Sequence, residues 1–313
     1  ENVSIVFLEN EVFFNRSSLY GNEKGDFSDN LERFTFFCKR SLELTKELGF
    51  QPDVVHANDW QTALLPALLK TKYLKDPFFQ KTKSLLTIHN LAYKGIFPQK
   101  HYPALELPSG LFSIDGFEFY GKINLLKAGI LFADVISTVS PTYAAEIQTK
   151  EFGFGLEEVV KRKARDLHGI LNGIDTVVWD PAKDKAIKKR FTIKTLEDKA
   201  VNKANLQETC GLTVNPELPI FGMVTRLAEQ KGLESFAEIA DQFLSKDVQF
   251  VVLGEGDGVY HTMFQNIGAR HPKNTAIDLG FNAETSHRVY AGCDFFIMPS
   301  LFEPCGLGQL ISL

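Results

Sequence analysis

The sequence predicts an α/β protein with two Rossmann-like parallel-sheet domains facing a central cleft, both incomplete within these 313 residues. Three observations lead there. Short apolar runs recur along the chain, helix-spaced segments separate most of them, and the alternation is interrupted once, between residues 171 and 219. Strand alternating with helix implies parallel strands covered by helices on both faces. The interruption carries a charged run, residues 183–190, read as solvated surface, then a polar helix-like stretch, 196–209. It suggests a hinge between two sheets and divides the chain into residues 1–169 and 170–313.

The strand-like runs are 3–8, 53–57, 84–89, 134–139, 169–171, 220–225, 249–253, 276–279 and 295–298. Each is a brief apolar stretch bounded by turn residues, the pattern of a strand buried on both faces. Helical spacing is clearest over 31–48, where Leu31, Phe34, Cys38, Leu42 and Thr45 fall on one stripe. It recurs over 62–73, 142–147, 233–244 and 283–291. The last residues, 310–313, read as a helix that has started without a stop signal, and the chain opens on Glu1 rather than methionine. Both features suggest a portion of a longer protein.

Composition is that of an ordinary globular protein, 44% hydrophobic and 23% charged. A net charge of −5 gives no electrostatic reason to expect nucleic acid or an anionic membrane as partner. Cys38, Cys210, Cys293 and Cys305 are far apart and form no C-x-x-C pair, which argues against structural zinc and a disulfide scaffold. No run approaches the roughly 20 apolar residues of a membrane span. Oligomeric state is left open.

Charged groups cluster just past strand ends, the edge where open α/β sheets bind ligands. The run 219–225 ends on Arg226, and Lys231-Gly232 follows. Two cations there suit a diphosphate, arginine as a fork and lysine as a point charge. The run 294–300 ends on Phe302-Glu303-Pro304-Cys305-Gly306-Leu307. Glu303 suits sugar hydroxyls, and the amides of Cys305, Gly306 and Leu307, opening a helix, suit phosphate. Together these residues indicate nucleotide-sugar chemistry.

In the first half, two strand ends carry polar and aromatic clusters, His56-Ala-Asn58-Asp59-Trp60 and His89-Asn90-Leu-Ala-Tyr93. Trp60 and Tyr93 are expected as aromatic platforms for sugar rings, while Asp59 and Asn90 can grip hydroxyls. His56 and His89 lack metal-ligand spacing, so no metal is expected. Gly254-Glu-Gly256-Asp257-Gly258 fits only part of a dinucleotide loop, and Phe281, beside Gly280, is a candidate for stacking a base.

These segments, with Ile170-Leu-Asn172-Gly173-Ile-Asp175, resemble in order the bacterial glycogen synthases and plant starch synthases. Residues 10–15, Leu19-Tyr-Gly21, Lys127-Ala-Gly129 and Trp179-Asp-Pro181 extend the likeness over essentially the whole chain. The resemblance implies a two-domain GT-B glycosyltransferase that moves α-glucosyl from ADP-glucose to the non-reducing end of an α-1,4-glucan with retention. ADP-glucose would be the donor substrate, with no cofactor. The location would be bacterial cytoplasm or plastid stroma. Carried over by position, Arg226 and Lys231 hold the diphosphate and Glu303 contacts the transferred glucose. The Cys305, Gly306 and Leu307 amides bind that glucose and the phosphate. His89 lines the reaction centre, and Asp59, Trp60, Asn90 and Asn172 surround the glucosyl and acceptor groups.

Two departures accompany the resemblance. The family's Lys-Thr/Val-Gly-Gly loop is missing and is expected upstream of Glu1, and the family continues past Leu313, so the chain alone is not expected to turn over ADP-glucose. The wider superfamily often places a second glutamate eight residues after the first; here that position is Ile311. The alternatives are another retaining GT-B glucosyltransferase using UDP-glucose, and a non-catalytic glucan-binding homologue.

Overall fold

The structure, a computed structural model, describes residues 3–22 and 25–313. The chain divides into two compact units, one ending at Leu171 and the other beginning at Asn172.

The first unit is built on four parallel strands, β1 (Val54–Asn58), β2 (Lys83–Ile88), β3 (Val135–Thr138) and β4 (Leu167–Gly169), in the order 1-2-3-4. Val54 pairs with Lys83, Leu85 with Val135 and Ile136 with Leu167. Helix Asn30–Glu47 buries Leu31, Thr35, Cys38 and Leu42, four of the positions one helical stripe brings together. Helices Leu64–Lys70 and Leu125–Phe132 are apolar almost all round and nearly wholly buried. A small antiparallel sheet, Ile96–Pro98, Glu118–Phe119 and Lys122–Asn124, leaves the main sheet after β2 and returns at helix Leu125–Phe132.

In the second unit, β5 (Ile220–Val224), β6 (Gln249–Leu253), β7 (Thr275–Asp278) and β8 (Phe295–Phe296) form a parallel sheet ordered 7-6-5-8. Every residue of β6 is buried. Phe250 and Val252 face Phe236, Tyr260 and Phe264 of helices Leu233–Leu244 and Gly258–Arg270. Val251 faces Leu206 and Val289 of helices Lys199–Thr209 and Ala283–Gly292. Alternation along a strand therefore serves two apolar layers at once. Gly222 permits the second layer, since a Cβ there would lie 2.8 Å from Val289 Cγ1 and 3.0 Å from Cys293 Sγ.

Several expectations are corrected. Residues 3–8 form no strand: the alternating apolar pattern is there, yet Val3, Ile5 and Phe7 are exposed and no strand among the described residues pairs with it. A strand needs a backbone partner as well as a pattern. The run at 169–171 is displaced to Leu167–Gly169. Within the charged run, Ile187 is buried and Asp184 accepts a 2.6 Å hydrogen bond from His287, so that stretch is not wholly solvated.

Tyr143 is fully buried, and its Oη accepts the Leu91 N–H at 3.0 Å, anchoring the loop after β2. Tyr143→Phe orphans that buried amide and is expected to lower the stability of this unit by about 1–3 kcal/mol. Urea unfolding of the two proteins reads the difference, and equal midpoints and slopes would deny the anchor.

Candidate functional site

At the carboxyl ends of β1 and β2, Asp59 takes a left-handed backbone conformation, φ 52°. Its Oδ1 accepts the backbone N–H of His89 at 2.7 Å, joining the two strand ends. His89 Nε2 lies 3.0 Å from Asn58 Oδ1. Asn90 Oδ1 accepts the Ala92 N–H at 3.0 Å and so caps its own loop. Below them, His56 Nε2 contacts Thr87 Oγ1 at 2.6 Å, and Thr87 Oγ1 contacts Ser137 Oγ at 2.7 Å, a polar chain across β1, β2 and β3. A cavity of about 540 Å³ opens here, lined by Asn58, Asp59 and His89 together with Phe14, Phe34 and Phe37.

Burial raises the Asp59 carboxyl above its ordinary value of 3.8, and outweighs the amides of His89 and Asn90 and the charge of His89, all of which favour the anion. Trp60 is the main correction in this site. It is only 8% exposed and packs on Phe34 and Phe97, with ring centroids 4.9 and 5.8 Å away. A Cβ on Gly95 would lie 2.6 Å from its ring. It belongs to the core and offers no stacking platform. Tyr93 is 48% exposed.

In the second unit β5 has β6 on one side and β8 on the other, so the chain reverses its direction of travel through the sheet there. Such a switch point opens a crevice at the strand ends. The two loops that flank it are stitched together. Gln230 O accepts the Leu301 N–H at 3.0 Å, and Gln230 Nε2 donates to Phe302 O at 3.2 Å. Gly232, at φ 58°, sits so close that a Cβ would fall 2.1 Å from Pro299 O. That stitching brings Lys231 Nζ to 2.7 Å from Glu303 Oε2, and Ser300 Oγ donates to the same oxygen at 2.9 Å.

Most of the remaining expected residues follow strand ends of that sheet. Arg226 is exposed just past β5. Gly254 follows β6 and is pressed against the Thr225 carbonyl, where a Cβ would lie 2.4 Å from the oxygen. Phe281, 81% exposed, lies beyond β7. Gly306 caps helix Leu307–Ser312 in the left-handed conformation and accepts the Gln309 N–H at 3.1 Å, with Cys305 half-buried before it and Leu307 exposed after it. Asn172 is half-buried where the second unit begins. Ser300 and Gln230 were not singled out in the sequence. Their only signal is membership of the strand-end segments.

Residues 1–162 match the family profile described as starch synthase catalytic domain, and residues 218–311 match glycosyl transferases group 1. The chain belongs to the starch synthase catalytic domain family. The glycogen synthase of Syntrophotalea carbinolica is 45% identical over 313 residues, 100% of this chain and 65% of that protein. That of Geotalea uraniireducens is 46% identical over 311 residues, 99% of this chain and 64% of that protein. The chain therefore spans just under two thirds of the length of these relatives. The catalytic domain of starch synthase IV from Arabidopsis thaliana, solved bound to ADP and acarbose, superposes with a TM-score of 0.88 at 34% identity. It covers 96% of this chain and 61% of that one. A sucrose-phosphate synthase from Thermosynechococcus elongatus, with TM-score 0.55 and 15% identity over 90% of this chain and 58% of that one, shares the fold alone.

The raised Asp59 value fixes the sign of a pH effect. The folded state holds this proton more tightly than the unfolded chain, so Asp59 costs stability as pH rises from about 3.8 through its folded value. The stability of wild type relative to Asp59→Asn is expected to fall across that window in urea titrations. A relative gain would mean that the amides, not burial, dominate.

Proposed function

We propose that this protein is the catalytic portion of a glycogen or starch synthase, transferring α-glucosyl from ADP-glucose to the non-reducing end of an α-1,4-glucan with retention. The observation that carries the reading is the Lys231–Glu303–Ser300 cluster at the switch point of the sheet matched by glycosyl transferases group 1, in a chain whose first unit matches the starch synthase catalytic domain. Arg226 and Lys231 would hold the diphosphate, and Glu303 would contact the transferred glucose. The Cys305, Gly306 and Leu307 amides, Gly254 and Phe281 would complete the donor site. In the first unit, His89 would line the reaction centre, with Asp59, Asn90 and Tyr93 toward the glucosyl and acceptor groups and Asn172 at the start of the second unit.

The chemistry follows from where charge develops. As the glycosidic bond to the nucleotide breaks, negative charge builds on the diphosphate, and two fixed cations lower its cost. Departure and attack on one face then give retention, the leaving diphosphate drawing the proton from the acceptor hydroxyl. Among the described residues no helix is long and apolar enough to cross a membrane. We place the protein in bacterial cytoplasm or plastid stroma by its relatives. Donor choice is tested by calorimetry with ADP-glucose against UDP-glucose on the full-length protein. Tighter binding of UDP-glucose would overturn the donor assignment.

Replacing Lys231 or Arg226 with alanine in the full-length protein is expected to lower kcat by roughly 10²- to 10³-fold, the scale of losing one preorganised partner for developing charge. Steady-state transfer assays at saturating donor read this. A kcat equal to wild type in either variant removes that residue from the reaction.

A further inference from the structure

We infer that an aromatic strip on the first unit, ending at Tyr120, binds the α-glucan acceptor where it extends away from the strand-end cleft. The inference rests on the functional reading above and adds a surface that reading does not use.

The strip begins at the loop after β2. Tyr93 is half exposed there, and the next residue, Lys94, places Nζ 5.5 Å over the Phe154 ring and 3.2 Å from the Phe154 carbonyl. The Phe119 ring closes on Gly155, where a Cβ would come within 3.2 Å of Cζ. Phe119 in turn meets Tyr120 edge-on, with centroids 4.7 Å apart. Lys94, Phe154, Gly155, Phe119 and Tyr120 therefore neighbour one another from the loop carrying Asn90 to the tip of the small antiparallel sheet, with Phe119 and Phe154 half-buried. A chain-like acceptor suits that layout better than a compact one.

The backbone makes the case stronger. Phe119 pairs with Lys122, so Tyr120-Gly121 is a two-residue hairpin turn, with φ 49° and 73°. Both values are positive, the geometry for which Asn-Gly is the favoured sequence. Phe154-Gly155 repeats it, at φ 49° and 82°. A bulky aromatic in the left-handed region is strained, and Tyr120, 84% exposed, has among the described residues only its edge-on contact with Phe119 to set against that strain. Stability alone would place asparagine there. A ring held in solvent at a cost to the fold, in series with others leading from a sugar-binding cleft, matches the apolar face of a glucose unit.

The test compares Tyr120→Asn and Tyr120→Phe with wild type in the full-length protein, by affinity electrophoresis in glycogen, thermal unfolding, and glucosyl transfer to maltotriose. Tyr120→Asn is expected to weaken glycogen binding roughly tenfold. Its unfolding midpoint should be no lower than wild type, and transfer to maltotriose should stay within about twofold. Tyr120→Phe should bind glycogen like wild type, since the ring and not the hydroxyl does the stacking. Unchanged glycogen affinity in Tyr120→Asn, or a lowered midpoint, overturns the strip while leaving the functional reading intact. A wild-type protein with no affinity for glycogen overturns both.

Discussion

Register in the two parallel sheets decides which side chains reach the ligand-facing edge, and each sheet fixes its register with the same device. In the first unit Asp134, just before β3, accepts the Ser84 N–H and Oγ–H at 2.8 Å each and pairs with Lys70 of the covering helix at 2.5 Å. In the second, Asp294, just before β8, accepts the Ile220 N–H at 2.7 Å and pairs with Lys203 of its covering helix at 2.9 Å. A one-residue slip would break these bonds and turn every side chain of the strand to the opposite face. The Asp134 carboxyl is held below its ordinary value, its bonds from Lys70 and Ser84 outweighing burial, so at neutral pH the clamp of the first sheet carries full charge.

With register fixed, the strand ends are joined by carboxylates. Asp59, past β1, reaches the amide of His89, past β2; Glu303, past β8, reaches Lys231, past the β5 loop. The two bridges differ in character. Asp59 bonds a neutral amide in a buried setting that favours the protonated acid, whereas Glu303 meets a cation and a hydroxyl on one oxygen. The first ties the ends of β1 and β2 together beside the cavity. The second holds a positive charge in place without leaving it alone in a half-buried crevice, where an unpaired charge is costly.

Much of this was legible in the sequence. Runs such as 220–225 and 249–253 are apolar, short and bounded by turns, and the strands are there. Arg226, Lys231 and Glu303 stand out because two strand ends carry charge together, where either alone would read as a surface loop. What stayed hidden depended on distant partners. Helix Leu125–Phe132 is apolar on nearly every side, so periodicity does not mark it, and helix Gly258–Arg270 opens from a glycine-rich loop that masks its start. The strands at 96–98 and 118–124 are two or three residues long. Trp60 was misplaced for a related reason: its neighbours in sequence are polar, but Phe34, Phe97 and Gly95 enclose it. Residues 3–8 show the converse, a strand pattern without a strand to pair with.

The Lys231–Glu303 pair also bears on selectivity in the proposed donor site. The lysine's charge is met by one glutamate oxygen, which Ser300 also shares. A neutral sugar offers Lys231 nothing stronger than that carboxylate and leaves the pair closed. A diphosphate brings more negative charge and several acceptor oxygens, so it competes for the ammonium on favourable terms, with exposed Arg226 supplying a second cation. Were Lys231 to turn toward phosphate, the Glu303 carboxylate could keep its bond to Ser300 and would have free acceptor capacity for sugar hydroxyls. In the proposed donor site the ion pair would thus couple the two halves of a nucleotide sugar, phosphate binding freeing the carboxylate proposed to contact the hexose.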